Sequence, residues 1–176
     1  MFQHTIIPWS SHVRYPGVTL DSKLLYNQYI TSVTHRAFGA LRLFFLLARR
    51  YTLSLSNKLN LYKLIIRSIL VYAAPVWSNT SLHNYRGLQV SPSKCLCVIG
   101  NYPRRTPISL LHSKLNVLPI RDLILYFTDK FFNRCLHHSN HLISSIGNYS
   151  LSDLHNQYKN TSTNALNTFF SNFVLL

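Results

Sequence analysis

The sequence predicts a mainly α protein, a helical bundle preceded by a short N-terminal β-hairpin. Three observations carry that expectation. Two long stretches, 30–48 and 55–73, repeat apolar residues at the three-and-four spacing of one helix face. Starts and stops sit between the periodic segments, at Ser54, Pro75, the Thr106-Pro107 pair and Pro119. β-Prone runs are confined to the leader, at 2–7 and 13–20.

In the leader, Pro8 and polar residues separate the two runs as the two strands of a hairpin, and Gly17 after Pro16 marks a bend or bulge inside the second. From about Tyr26 the pattern turns helical: Ile30, Val33, Ala37, Leu41, Phe44 and Ala48 form one stripe, and the helix should end near Arg50. The central stretch, 53–77, reads as a helix capped by Ser54, with Leu55, Leu59, Tyr62, Ile66, Ile69 and Ala73 inward and Pro75 as its stop. Leu61, Leu64 and Ile65 point elsewhere, so this helix is apolar almost all round and belongs between other elements. Its one polar ribbon is Ser56, Asn60, Lys63 and Arg67.

A third helical segment starts near Leu82 and resumes over 94–99, with Pro92 between. A proline inside a helix removes a backbone bond and crowds the preceding turn, at about 3 kcal/mol, which predicts a kink or two pieces. Thr106 as N-cap and Pro107 in the first turn open a short helix to about Lys114. Pro119 opens the last strong helix, with Ile120, Leu123, Ile124, Phe127 and Phe131 as its core stripe. Beyond His137 the periodicity fades, and 156–172, rich in Asn, Ser and Thr, reads as a mobile tail. The expected organisation is a leader at 1–22, a bundle at 26–138 and an extension at 139–176.

The chain has 176 residues and 47% hydrophobic content, enough for one domain with a real core. Its 18 Lys and Arg against 4 acids give a formal charge of +14, which points to a polyanionic partner, nucleic acid before an anionic membrane. The acids are Asp21, Asp122, Asp129 and Asp153, scattered along the chain with no glutamate. Metal-dependent phosphoryl transfer and glycoside cleavage both need converging carboxylates, so neither is expected. A membrane span over the apolar centre would put Lys63 and Arg67 in hydrocarbon, which disfavours it. Three cysteines and no leading signal pattern read as a reduced, intracellular chain.

Basic positions recur on successive segments: His35, Arg42 and Arg49, then Lys63 and Arg67, then Lys94, then Arg104 and Arg105. Helices packed side by side would let them neutralise several phosphates; the bland alternative is a solvated basic surface. The Cys135, His137, His138, His141 cluster lacks the spacing of a zinc finger, and a His-rich helix end is the simpler reading. No phosphate-cradling glycine loop or nucleophile motif is present.

Several stretches occur together in one order: Tyr15-Pro-Gly-Val-Thr-Leu-Asp21, Leu53-Ser-Leu-Ser-Asn-Lys-Leu59, Leu61-Tyr-Lys-Leu-Ile-Ile-Arg67 and Tyr72-Ala-Ala-Pro-Val-Trp77, continuing into Leu88-Gln-Val, Lys94-Cys-Leu96 and Leu118-Pro-Ile120. This order resembles the region after the catalytic palm in reverse transcriptases of jockey-type non-LTR retrotransposons, from about residue 6 to about 158. The resemblance implies the end of the palm, a thumb-like bundle and a segment beyond it, cut from an RNA-directed DNA polymerase. Fingers, most of the palm and the Mg2+-binding aspartates would lie upstream, leaving this piece non-catalytic and without a cofactor of its own. It implies the template–primer backbone and the missing palm and fingers as partners, with Lys58, Lys63, Arg67 and Lys94 at basic positions suited to holding a duplex. Ser91-Pro92-Ser93 and Cys97 depart from the family pattern, and 165–176 matches nothing in it. The alternative, of another class, is a helical interaction fragment with no nucleic-acid binding of its own.

Overall fold

The computed structural model describes residues 10–48 and 53–146. The leader run 2–7, Arg49 and the expected tail lie outside the described residues. The rest is mainly α with one antiparallel hairpin.

Strands β1 (His12–Tyr15) and β2 (Val18–Asp21) pair with Tyr15 opposite Val18 and His12 opposite Asp21. Both strands therefore fall on the second predicted run and one residue to either side of it, and Pro16-Gly17 is the hairpin's turn rather than a bulge. Gly17 has φ 87, which a side chain rarely adopts, after a proline whose ring fixes the preceding φ. Asp21 then organises the exit. Its carboxylate accepts the backbone N–H groups of Lys23 (3.1 Å), Leu25 (3.1 Å) and Tyr26 (2.7 Å), holding a corner in which Leu24 and Tyr26 both sit at positive φ.

Helix α1 (Asn27–Ala48) buries Ile30, Val33, Ala37, Leu41, Phe44 and Ala48, the stripe its spacing predicts. The central helix, α2, runs through Leu55–Tyr62, a π-helical turn at Lys63–Arg67, and Ser68–Val71. Ser54 caps it, its hydroxyl accepting from Asn57 N–H at 3.3 Å. The wide π turn takes up extra chain, so the inward face after Ile66 passes to Leu70 and Ala74 instead of Ile69 and Ala73. Pro75 does not stop this helix. α2 ends at Val71, Ala73 turns left-handed (φ 53), and Pro75 lies in the first turn of a new short helix, α3 (Ala74–Trp77). Proline is pre-organised there, since a first-turn N–H has no intrahelical partner.

The corner 72–77 is where the fold is pinned. The Tyr72 carbonyl accepts from Trp77 Nε1 at 2.8 Å and Tyr29 Oη at 3.1 Å. The Tyr72 hydroxyl donates to the Pro16 carbonyl at 2.9 Å, and its ring would stand 3.4 Å from a Cβ on Gly17. Trp77 and Tyr29 are fully buried, with ring centroids 6.0 Å apart.

Helix α4 (Leu82–Ile99) begins on the Ser81 cap and packs against α1 and α2. It is a single helix through Pro92, not two pieces; Pro92 is buried in the core face beside Ser91 and Cys95. Helix α5 (Ile108–Leu115) starts at Pro107, and the Thr106 hydroxyl turns back to the Pro103 carbonyl (2.7 Å) rather than capping it. Helix α6 (Ile120–Leu136) follows Pro119, and a single turn, α7 (His141–Ser144), packs on it. The core face of α6 holds Ile120, Leu123 and Ile124 as predicted, then continues through Thr128, Phe132 and Cys135. Phe127 and Phe131 are exposed, and Thr128, its hydroxyl donating to the Ile124 carbonyl (2.9 Å), is buried on the core face instead.

One polar network joins α4, α5 and α6. Gln89 Nε2 meets His112 Nε2 at 2.8 Å, His112 Nδ1 meets the Val117 carbonyl at 2.7 Å, and Gln89 Oε1 accepts Ile120 N–H at 2.9 Å. The carbonyl needs a donor at Nδ1, which leaves Nε2 as acceptor for the amide of Gln89.

Candidate nucleic-acid interface

The predicted basic residues do not all share one environment. On α4, Lys94 Nζ lies 4.7 Å from the centroid of the Phe38 ring of α1. Arg42 follows Phe38 by one turn on α1 and is exposed. One turn beyond Lys94, Cys97 holds the chain that leaves α4: its carbonyl accepts Tyr102 N–H at 2.8 Å and its thiol donates to the Pro103 carbonyl at 3.7 Å. Tyr102 packs so tightly on Gly100 that a Cβ there would overlap its ring. The loop carrying exposed Arg104 and Arg105 is thus anchored to the turn of α4 next to Lys94.

The α2 cations behave differently. Arg67 is half-buried with its guanidinium 6.0 Å from the centroid of the Tyr62 ring, a pairing that the π turn favours because it stacks residues five apart. Burial lowers the Arg67 pKa, and burial raises that of Tyr62, with the Arg67 charge working against the rise. Lys63 is exposed and Lys58 partly buried. Arg49 is outside the described residues.

Two cation–ring contacts went unread in the sequence. Arg121 of α6 lies 5.9 Å from the centroid of the Tyr85 ring of α4, and burial, against the Arg121 charge, pushes the Tyr85 hydroxyl up to about 12. Lys130 lies 5.8 Å from that of Tyr126, one turn back. The second was legible as an i, i+4 pair; the first joins helices far apart in sequence and was not.

The other chemical candidates have local roles. Burial raises both the Cys95 and Cys97 thiol pKa values, the opposite of an activated nucleophile. Cys135 is buried, His137 Nδ1 meets the Asn133 carbonyl at 2.8 Å, and His138 Nδ1 accepts Asn140 N–H at 3.0 Å. Asp21 is occupied by backbone amides and Asp129 by the Asn133 amide, and among the described residues no three His, Cys, Asp or Glu side chains gather as a metal would require. These residues do not fit a Mg2+ pair. Among the described residues no helix is long and apolar enough to cross a membrane.

Fold and surface together define a basic, mainly helical chain whose positive side chains sit at helix flanks and a helix–loop junction. Its relatives are polymerases of mobile elements. The chain is 26% identical over 134 residues to a probable RNA-directed DNA polymerase from transposon BS of Drosophila melanogaster, a match covering 76% of this chain. It is 29% identical over 144 residues, 81% of the chain, to the RNA-directed DNA polymerase of the mobile element jockey from Drosophila funebris, and 26% identical over 80% of the chain to that of the X-element. The chain spans 15–16% of the length of these curated relatives. It is thus related to jockey-type transposon RNA-directed DNA polymerases. No protein-family profile matches it, and no solved structure does.

Proposed function

We propose that this chain is a thumb-like, non-catalytic part of such a polymerase, which holds the template–primer duplex by its phosphates without reading sequence. The observation that supports this most is the ridge from Arg42 and Phe38 on α1, across Lys94 on α4, to the anchored Arg104-Arg105 loop. Cations on helix flanks and an anchored loop neutralise phosphates without a base-specific contact, and +14 of net charge favours such a partner over long range. The missing palm and fingers would supply Mg2+ and the chemistry.

The test is a titration of the chain with an RNA–DNA hybrid at several salt concentrations. Affinity should fall linearly on a log–log plot, and replacing Arg42, Lys94, Arg104 and Arg105 by alanine should flatten the slope by about 0.9 for each phosphate no longer neutralised. Binding that ignores salt, or none at low salt, overturns the reading. A second reading, an interaction fragment, draws on Leu46 and Leu64, each 72% exposed on α1 and α2. Apolar surface of that kind fits the missing polymerase segments, and solubility rescued only by an upstream polymerase segment would favour it.

A further inference from the structure

Helix α6 carries more aromatic surface than its packing uses. Its core face is complete with Ile120, Leu123, Ile124, Thr128, Phe132 and Cys135. Yet Tyr126, Phe127 and Phe131 remain 52%, 39% and 46% exposed. Helical spacing puts Phe127 and Phe131 one turn apart in one row, with Tyr126, Lys130 and Arg134 forming the next row round the helix. Lys130 already lies against the Tyr126 ring, and Tyr126 and Phe127 meet edge to face with centroids 5.5 Å apart. The acids of this helix, Asp122 and Asp129, fall on the far side of Tyr126 from the phenylalanines, and Asp129 holds Asn133.

We propose that this flank of α6 is a stacking platform for the bases of a single-stranded nucleic acid, with Lys130 and Arg134 beside it for the strand's phosphates. Two cations set along the rings favour an anionic partner over a purely apolar one. An unpaired strand offers what the flank matches, a π-face for each ring and a charge for each cation. A duplex keeps its bases inside, so this site discriminates against one. It lies on a different helix from the Arg42–Lys94 ridge and does not depend on that ridge gripping anything.

The experiment measures anisotropy of labelled oligo(U) and oligo(dT), with an RNA–DNA hybrid alongside, for the full chain and two double variants. These are F127A/F131A and F127L/F131L; both sites are exposed, and far-UV circular dichroism checks that each variant folds. Stacking predicts that both variants bind either single strand at least about tenfold more weakly, with an unchanged salt slope and unchanged hybrid affinity. Leucine keeps the apolar area and loses the ring. If the leucine pair binds like wild type, the flank is an apolar docking face and the proposal is overturned. It is also overturned if the alanine pair loses no single-strand affinity, or if single-strand and hybrid affinities fall together. The hybrid's response to the Arg42, Lys94, Arg104 and Arg105 substitutions scores the ridge separately.

Discussion

The corner at 72–77 and the ridge between α1 and α4 both contain residues of the polymerase-like motifs, and they use them in opposite ways. In the corner, Trp77 is fully buried and Tyr72, half exposed, ties three elements together: its carbonyl takes two donors and its hydroxyl reaches the hairpin turn. On the ridge, Lys94 rests on one ring and Arg42, Arg104 and Arg105 stand exposed. The corner residues make hydrogen bonds within the fold, whereas the exposed cations have no such role in it and are the ones proposed to meet phosphates.

The comparison breaks if the corner tolerates truncation. Trp77→Ala should lower the unfolding free energy by about 3–5 kcal/mol, since it removes a fully buried ring and a donor to Tyr72; chemical denaturation reads it. Gln89→Leu should lower it by about 2–3 kcal/mol, because the buried imidazole of His112 and the N–H of Ile120 lose their partner together. The ridge should give the reverse pattern. Replacing Arg42, Lys94, Arg104 and Arg105 by alanine should change stability by about 1 kcal/mol or less, mostly through the Lys94–Phe38 contact, while hybrid affinity drops roughly tenfold or more at moderate salt.

Acid should act on the hairpin junction. Burial tends to raise the Asp21 pKa, but the amides of Leu25, Tyr26 and Lys23 outweigh it and hold the carboxyl below its ordinary 3.8. A group with a lowered folded pKa contributes stability above its unfolded value and loses it as pH falls through the folded one. Protection of the Leu25 and Tyr26 amides, taken relative to their intrinsic exchange rates at each pH, should therefore fall on acidification, and Asp21→Asn should remove that pH dependence. Smallest is Ala73→Gly, expected to stabilise by about 0.5 kcal/mol. Relieving a left-handed alanine returns about 1–2 kcal/mol, and the more flexible unfolded chain takes back about 0.4–1. A loss there would show that the Ala73 methyl packs rather than strains.

Much of the molecule was legible in single-segment patterns. The α1 stripe, the Ser54 cap and the start of α6 at Pro119 follow from spacing and capping chemistry alone. What could not be read were changes of register. The π turn at Lys63–Arg67 moved the inner face from Ile69 to Leu70, and on α6 Thr128 is buried while Phe127 and Phe131 are exposed. Both shift the inward face by a residue within a helix, which a fixed periodicity does not register. Of the basic residues, the sequence showed the sign and the segment, but not that Arg67 folds onto Tyr62 while Arg42 stays open.

By itself the sequence determined the helical class and the excess of positive charge, because composition and local spacing act before any contact forms. Tertiary structure alone decided that Pro75 begins a helix, that His112 is held between Gln89 and Val117, and which cations rest on rings. Those outcomes turn on partners tens of residues away, and only a packed core brings such groups within hydrogen-bonding distance.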